Sequence, residues 1–210
     1  IANDGQWRFP AQTFVPKKFE AAILLFEDKR FFSHLGVDPL ATFRAIQQNI
    51  KAGTIVSGGS TLTMQVIRLS RQNHRRTYFE KIIEMILATR LELSYSKEEI
   101  LSLYASHAPF GGNVVGIEAA SWRYFGRELD DLSWAESAML AVLPNNPSLI
   151  HPGKNRNILK EKRDRLLNRL KEEGKLDEMT LELAKAEAIP QKPLALPRQA
   201  KHLLARAAQE

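Results

Sequence analysis

The chain has 210 residues, 44% of them hydrophobic, no cysteine and a formal net charge of +6. That length builds one sizeable domain or two small ones, and that apolar content excludes global disorder. Disulfides and thiolate metal sites are excluded, while the positive balance favours anionic partners (nucleic acid, acidic lipid or phosphorylated substrates) without choosing among them.

In chain order, residues 1–18 contain Gly5, Trp7, Pro10 and Pro16 and read as irregular or extended, with Pro16 leading into a first helix. The apolar run Ala21 to Phe26 then ends on Glu27. A carboxyl group where a core helix emerges, with Phe31 and Phe32 close by in sequence, has little water around it. Such a setting raises its pKa and suits a general base or acid. The same residues also fit a helix end with surface charges, and in either case Asp28, Lys29 and Arg30 are expected to be solvated. Asp38-Pro39 reads as an N-cap followed by proline at the first helical position. Leu40, Phe43, Ile46 and Ile50 follow at helical spacing, and Gly53 is a natural stop.

Thr54 to Gly59 reads as a loop running into Ser60-Thr61-Leu62-Thr63-Met64-Gln65. Two glycines and several hydroxyls at a helix start could cradle a phosphate through free amides and O–H donors; a plain capped helix fits the same residues. Arg68, Arg71, His74, Arg75 and Arg76 form a basic run, either a solvated face or a neutraliser of a leaving phosphate. Thr77 to Leu93 is expected as a long helix with Phe79, Ile82, Ile83, Ile86, Leu87 and Leu91 on one broad apolar face. Glu80 and Glu84, four apart, share a side of it, and Glu84 by itself fits a surface glutamate.

Ser96 with Glu99 and Ser133 with Glu136 form two capping boxes, opening helices that carry Ile100, Leu101 and Tyr104 and then Trp134 to Leu143. Between them, Gly116 to Phe125 reads as a helix closed by Gly126. A charged amphipathic helix, Arg156 to Glu173, stops at Gly174. Asp177 caps another, reaching Ala188. Pro190, Pro193 and Pro197 mark a linker, followed by a last helical piece. No internal repeat and no convincing strand is visible, and no apolar run approaches the roughly 18 residues of a spanning helix.

Five of these stretches, in order, resemble the motifs of the peptidoglycan glycosyltransferase domain of class A penicillin-binding proteins (glycosyltransferase family 51). Glu27, Asp28, Phe31, His34 and Gly36 match E-D-x-x-F-x-x-H-x-G. Gly58, Ser60, Thr61, Thr63 and Gln65 match G-x-S-T-x-T-Q-Q, with Met64 replacing the first glutamine. Lys81 and Glu84 match R-K-x-x-E, with Glu80 reversing the charge of its arginine. Lys97, Ile100, Leu101 and Tyr104 match K-x-x-I-L-x-x-Y, with Ser106 in place of a usual asparagine, and the following APFGG turn is typical of the family's 1C subtype. Lys162-Arg163-Asp164-Arg165-Leu166-Leu167 resembles R-R-x-x-V-L. By alignment, Arg68 stands where a lysine is usual and Arg76 where an arginine is usual.

The resemblance implies a mainly α, lysozyme-like fold: a glycosyltransferase domain over residues 1–190, with a smaller, mobile, membrane-facing lobe near residues 37–75 and a linker over 191–210. A membrane anchor upstream and a transpeptidase domain downstream are implied with it. The implied reaction is polymerisation of lipid II with inversion and release of undecaprenyl diphosphate. Glu27 would be the general base and Glu84 the second catalytic carboxylate. Asp28, His34, Gly58, Ser60, Thr61, Thr63, Gln65, Arg68, Arg76, Lys81 and Lys97 would bind substrate. Glu84 could hold a divalent cation, Mg or Mn; no nucleotide is expected. Implied partners are lipid II, the growing glycan chain, the membrane surface and other cell-wall synthesis proteins, with no nucleic acid, at the extracytoplasmic face of a bacterial inner membrane. A lysozyme-like hydrolase or lytic enzyme and a non-catalytic lipid II-binding scaffold remain as alternatives. The departures Met64, Glu80 and Ser106 suit the second of these.

Overall fold

The computed structural model describes residues 6, 8–10, 14–54, 58–71, 77–147 and 150–194. Among these the fold is mainly α, as expected: nine α-helices, two short 3-10 turns and only isolated bridges between Pro109 and Val115 and between His151 and Lys154. The capping chemistry forms as the sequence predicts. Asp38 accepts from the Ala41 amide ahead of α2 (Pro39–Ala52), which Gly53 closes in the left-handed conformation. Both capping boxes are reciprocal, opening α5 (Lys97–His107) and α7 (Trp134–Val142).

The main core is built on α7, where every residue from Ala135 to Val142 is buried. A helix apolar on all sides needs neighbours all round. They are α1 (Lys17–Glu27), α8 (Arg156–Glu172) and, more lightly, α9 (Glu178–Ala186). Phe19, Ala22, Ile23 and Leu25 are the core face of α1. Arg163, on the core face of α8, is also buried; it donates to the carbonyls of Lys185 and Glu187. Those bonds hold Glu187 extended, so α9 ends at Ala186 rather than at the expected Ala188. Residues 187–194 then run back over the domain, with Arg156 donating to Ile189 and Pro190 and the Leu194 amide donating to Arg123. The expected last helical piece and Pro197 lie outside the described residues.

A second, smaller cluster joins Met64 and Ile67 of α3 (Leu62–Ser70) to Ala88 of α4 (Tyr78–Glu92), with Met85, Leu87 and Leu91 against it. The packing unit around α3 therefore draws in α4, beyond the 37–75 stretch. Of the expected broad apolar face of α4, Leu87 and Leu91 pack against this cluster while others do not. Phe79, Ile82 and Ile86 are exposed, and the side turned inward carries Glu84 and Ala88. On α2 only Ala45 is buried, and Leu40, Phe43, Ile46 and Ile50 form an exposed apolar stripe.

Gly36 (φ +81°) lies so close to α4 that a Cβ there would sit 2.6 Å from the Ala88 backbone, whereas Gly53 (φ +66°) faces open space. The two positions separate conformational strain from steric exclusion. Gly53→Ala is expected to cost about 1 kcal/mol, the left-handed penalty alone. Gly36→Ala should cost at least about 3 kcal/mol, because α4 must also move. Urea denaturation of both variants measures the difference.

Candidate active site

Glu27 is the last residue of α1, and the carboxylate beside it fixes its surroundings. Asp28 is expected to be solvated but is buried, 6% exposed. Its Oδ2 accepts from the Leu62 amide at 3.0 Å, and His34 Nε2 lies 3.0 and 3.1 Å from its two oxygens. A buried carboxylate must find donors, and Asp28 finds them on the first residue of α3 and on the 3-10 turn after α1. Arg30 stays partly solvated, its side chain 40% exposed, and pairs with the buried Asp38, which lowers the Asp38 pKa.

These contacts fill the start of α3. Leu62 donates to Asp28, Met64 donates to Thr61 Oγ1, and Thr61 donates to the Gly36 carbonyl at 2.6 Å. The segment is thus a capped helix, and two of the amides that a phosphate cradle would use are already engaged. Gly58 is exposed, while Gly59 packs where a Cβ would lie 2.8 Å from Thr42 Cα.

From that fixed start, α3 presents a ladder. Gln65, Arg68 and Arg71 follow at spacings of three and reach three carboxylates. Gln65 Nε2 donates to Glu27 Oε2 at 2.9 Å. Arg68 grips Glu84 with both arms of its guanidinium, Nε to Oε1 at 2.7 Å and Nη2 to Oε2 at 2.6 Å. Arg71 donates to Glu80 Oε2 at 2.8 Å. Glu80 and Glu84 do share a side, as their spacing predicts, and each meets its own arginine. Glu84 is buried rather than a surface residue of its helix.

Burial raises the Glu27 pKa, and the Gln65 hydrogen bond and the Lys162 charge only partly offset it. Its Oε1 is buried with no hydrogen-bond partner among the described residues. Lys162, which donates to Asn145 at 3.0 Å, is the cation whose field acts most on Glu27. Lys162 is not among the expected site residues, although it lies in the fifth motif. Arg68 is held further toward its charged form, chiefly by its bond to Glu84 and also by the field of Glu27, so it links the two glutamates electrostatically.

Other expected site residues support the site from behind. Thr63 is fully buried and donates to Glu92 Oε1 at 2.6 Å. Lys97 Nζ donates to the same oxygen and to the His34 carbonyl, both at 2.7 Å, and sits 4.4 Å above the Phe31 ring. In this arrangement Lys97, Thr63, Asp28 and Thr61 brace the site; His34 does so through Nε2, while its buried Nδ1 has no hydrogen-bond partner among the described residues. Glu92 is a buried junction that no sequence pattern singles out. Ser60 lies at the far arm of Arg68, 3.5 Å from Nη2, and Lys81 is half-buried on α4. Arg76, His74 and Arg75 lie outside the described residues.

Among the described residues, no three His, Cys, Asp or Glu side chains come together as a metal site. Both Glu84 oxygens are engaged by Arg68, so a cation there would have to displace the guanidinium. The residues in this arrangement do not fit a resident divalent ion.

Residues 3–171 match the model of the transglycosylase family, and the chain belongs to that family. It is 40% identical over 195 residues to penicillin-binding protein 1C of Escherichia coli K12, covering 92% of this chain and 25% of the relative. It is 39% identical over 191 residues to penicillin-binding protein 1A of Pseudomonas aeruginosa, covering 90% of this chain and 23% of the relative. Penicillin-binding protein 1A from Haemophilus influenzae has the same fold: TM-score 0.54 at 21% identity, over 97% of this chain and 21% of that one. The chain thus spans about a quarter of the length of these curated relatives. The family expected from the five motifs is the family found.

The raised Glu27 pKa has a consequence for stability. Below the usual carboxyl value of 4.5 both folded and unfolded chains are protonated at this position, and burial of the group costs little. As pH rises, the unfolded chain ionises first, so the folded state loses stability until the higher folded pKa is passed. Glu27→Gln removes that loss. The variant is expected to melt above the wild type at pH 7.5 and together with it near pH 4, as calorimetry at the two pH values would show.

Proposed function

We propose that this chain polymerises lipid II into glycan strands with inversion, using Glu27 as general base. The observation that supports this most directly is a buried, pKa-raised carboxylate on the same ladder as an arginine–glutamate pair. Glycosyl transfer from a lipid diphosphate needs that combination. The 4-hydroxyl of the incoming lipid II sugar attacks the anomeric carbon of the donor and passes its proton to Glu27. The new C–O bond forms as the bond to diphosphate breaks, and the electron pair leaves with undecaprenyl diphosphate. A base with raised affinity for protons at the hydroxyl contributes on the order of 10²–10⁴-fold. Arg68, with Arg71 at the end of the same helix and the Ser60 hydroxyl beside it, stabilises the departing charge, and the family motif gives Lys81 a share in that role. The family motif gives Arg76 the same role. Glu84 holds the Arg68 fork in place.

Labelled lipid II in detergent should yield polymer that lysozyme digests, and Glu27→Gln should abolish it. Release of muropeptides from finished peptidoglycan, without lipid II turnover, would instead establish a hydrolase. Glu84→Gln should reduce turnover strongly but less completely than Glu27→Gln, since a half-buried arginine loses its charged partner while the base remains. Because arginines rather than a cation meet Glu80 and Glu84, chelator should change wild-type turnover little. Full activity of Glu84→Gln with and without chelator would remove Glu84 from the mechanism.

We also place the chain against a bilayer, at the extracytoplasmic face of a bacterial inner membrane, within a longer protein that carries an anchor and a transpeptidase domain and works with other cell-wall synthesis proteins. No described helix is long and apolar enough to cross a membrane. The support is local: α2 exposes Leu40, Phe43, Ile46 and Ile50 beside Arg44 and Lys51, and α4 exposes Tyr78, Phe79, Ile82 and Ile86 beside Lys81 and Arg90. Apolar stripes flanked by cations suit an interface of acyl chains and anionic headgroups. Phe43 is 68% exposed and Ile46 is 52% exposed, so polar replacements there should leave the melting temperature nearly unchanged. Phe43→Ser with Ile46→Ser should weaken co-sedimentation with anionic vesicles by roughly tenfold or more, from the apolar transfer energy of two large side chains. Unfolding of the double variant would mean that these are core residues.

A further inference from the structure

The Glu27 carboxylate is held on one side only. Oε2 takes the Gln65 amide, while Oε1 is buried and has no partner among the described residues. Tyr104, on α5, presents the complementary deficiency. Its side chain is 1% exposed and its hydroxyl has no hydrogen-bond partner among the described residues. Both lie at the same part of the main core: α5 packs along α3, the helix that sends Gln65 to Glu27, and Tyr104 shares its core cluster with Ile23 and Leu25 of α1, against which Phe26 packs just before Glu27. The Glu27 charge also acts on the phenol. A buried carboxylate oxygen and a buried hydroxyl each lose their hydration on folding, and a donor meeting an acceptor recovers it. The family motif containing Tyr104 supplies an architectural reason for its ring, which fills the core beside Ile100 and Leu101. The ring alone does not explain a hydroxyl, because phenylalanine would fill the same volume without burying a polar atom.

We propose that Tyr104 is a positioning residue for the general base, its hydroxyl serving Glu27 Oε1 through one bridging water. A phenol suits this task in both protonation states of the base. Through that water it donates to the carboxylate before the transfer and accepts from the carboxylic acid after it, so the base keeps its orientation as it takes up the acceptor's proton. Burial and the neighbouring negative charge push the phenol's own ionisation well above its ordinary range, so it remains a donor at neutral pH. Gln65 and Tyr104 then hold one carboxylate oxygen each, and the base swings toward neither.

The inference rests on Glu27 being the base, and the test separates the two. Glu27 in the full chain is followed by ¹³C NMR of its side-chain carboxyl, assigned from the signal lost in Glu27→Gln, across a pH series without substrate. The acid limb of lipid II turnover is measured in parallel. Tyr104→Phe keeps the ring and removes the donor. Loss of one hydrogen bond to a charged acceptor should raise the Glu27 titration midpoint by about one pH unit. The acid limb of turnover should move by the same amount, with KM for lipid II unchanged and kcat at neutral pH reduced. Coincident Glu27 titrations in the wild type and Tyr104→Phe would overturn the proposal, whatever the activity. So would an unshifted titration combined with a higher melting temperature, since that shows a hydroxyl buried without a partner. Full turnover by Glu27→Gln would instead overturn the assignment of the base and leave the titration result to stand by itself.

Discussion

The buried carboxylate of Asp28 is the contact on which the site depends. It lies one residue past α1, and it is satisfied only if the first amide of α3 and the His34 ring come to it. An unpaired buried carboxylate costs several kcal/mol, so the junction of α1, the following turn and α3 is fixed with little freedom. Once Leu62 is pinned, helical geometry does the rest: Gln65, Arg68 and Arg71 lie on one face of α3. Glu27, on the far side of Asp28 from the turn, receives the first of them.

The same ladder explains how three acidic side chains coexist where an anionic leaving group must pass. Each has a dedicated donor on α3, and the strongest of these contacts is the two-armed grip of Arg68 on Glu84. A lysine in place of Arg68 would carry the charge but could not make that planar, two-point contact. Below the ladder a second layer ties α3 to α5 through Glu92, which accepts from Thr63 and Lys97. The charged site is therefore backed by buried, satisfied polar groups instead of a purely apolar floor. Such a floor would leave side chains of this length free to turn.

The outer surfaces of α2 and α4 follow another logic. Their apolar residues sit at helical spacing and would suit a core, yet most of them face outward. Periodicity shows that a helix has an apolar side; it does not say whether protein or lipid covers that side. On α4 the buried positions are Glu84 and Ala88, and Gly36 packs hard against the backbone at Ala88.

The sequence by itself determined what depends on neighbours a few residues apart. Helix starts at Asp38, Thr77, Ser96, Ser133 and Asp177 follow from side chains that reach their own backbone. The apolar approach to Glu27 and the shared side of Glu80 and Glu84 follow from helical period, and the family follows from five motifs in order. Only the tertiary structure decided which charges are buried and with whom. Asp28 reads as one of four consecutive charged residues, Glu92 as the end of an amphipathic helix and Lys162 as part of a solvated one. Beside the nearby His34 and Lys97, they have partners 34, 29 and 17 residues away. Local pattern carries no information about such pairings, because the desolvation that makes them necessary exists only once the helices have packed.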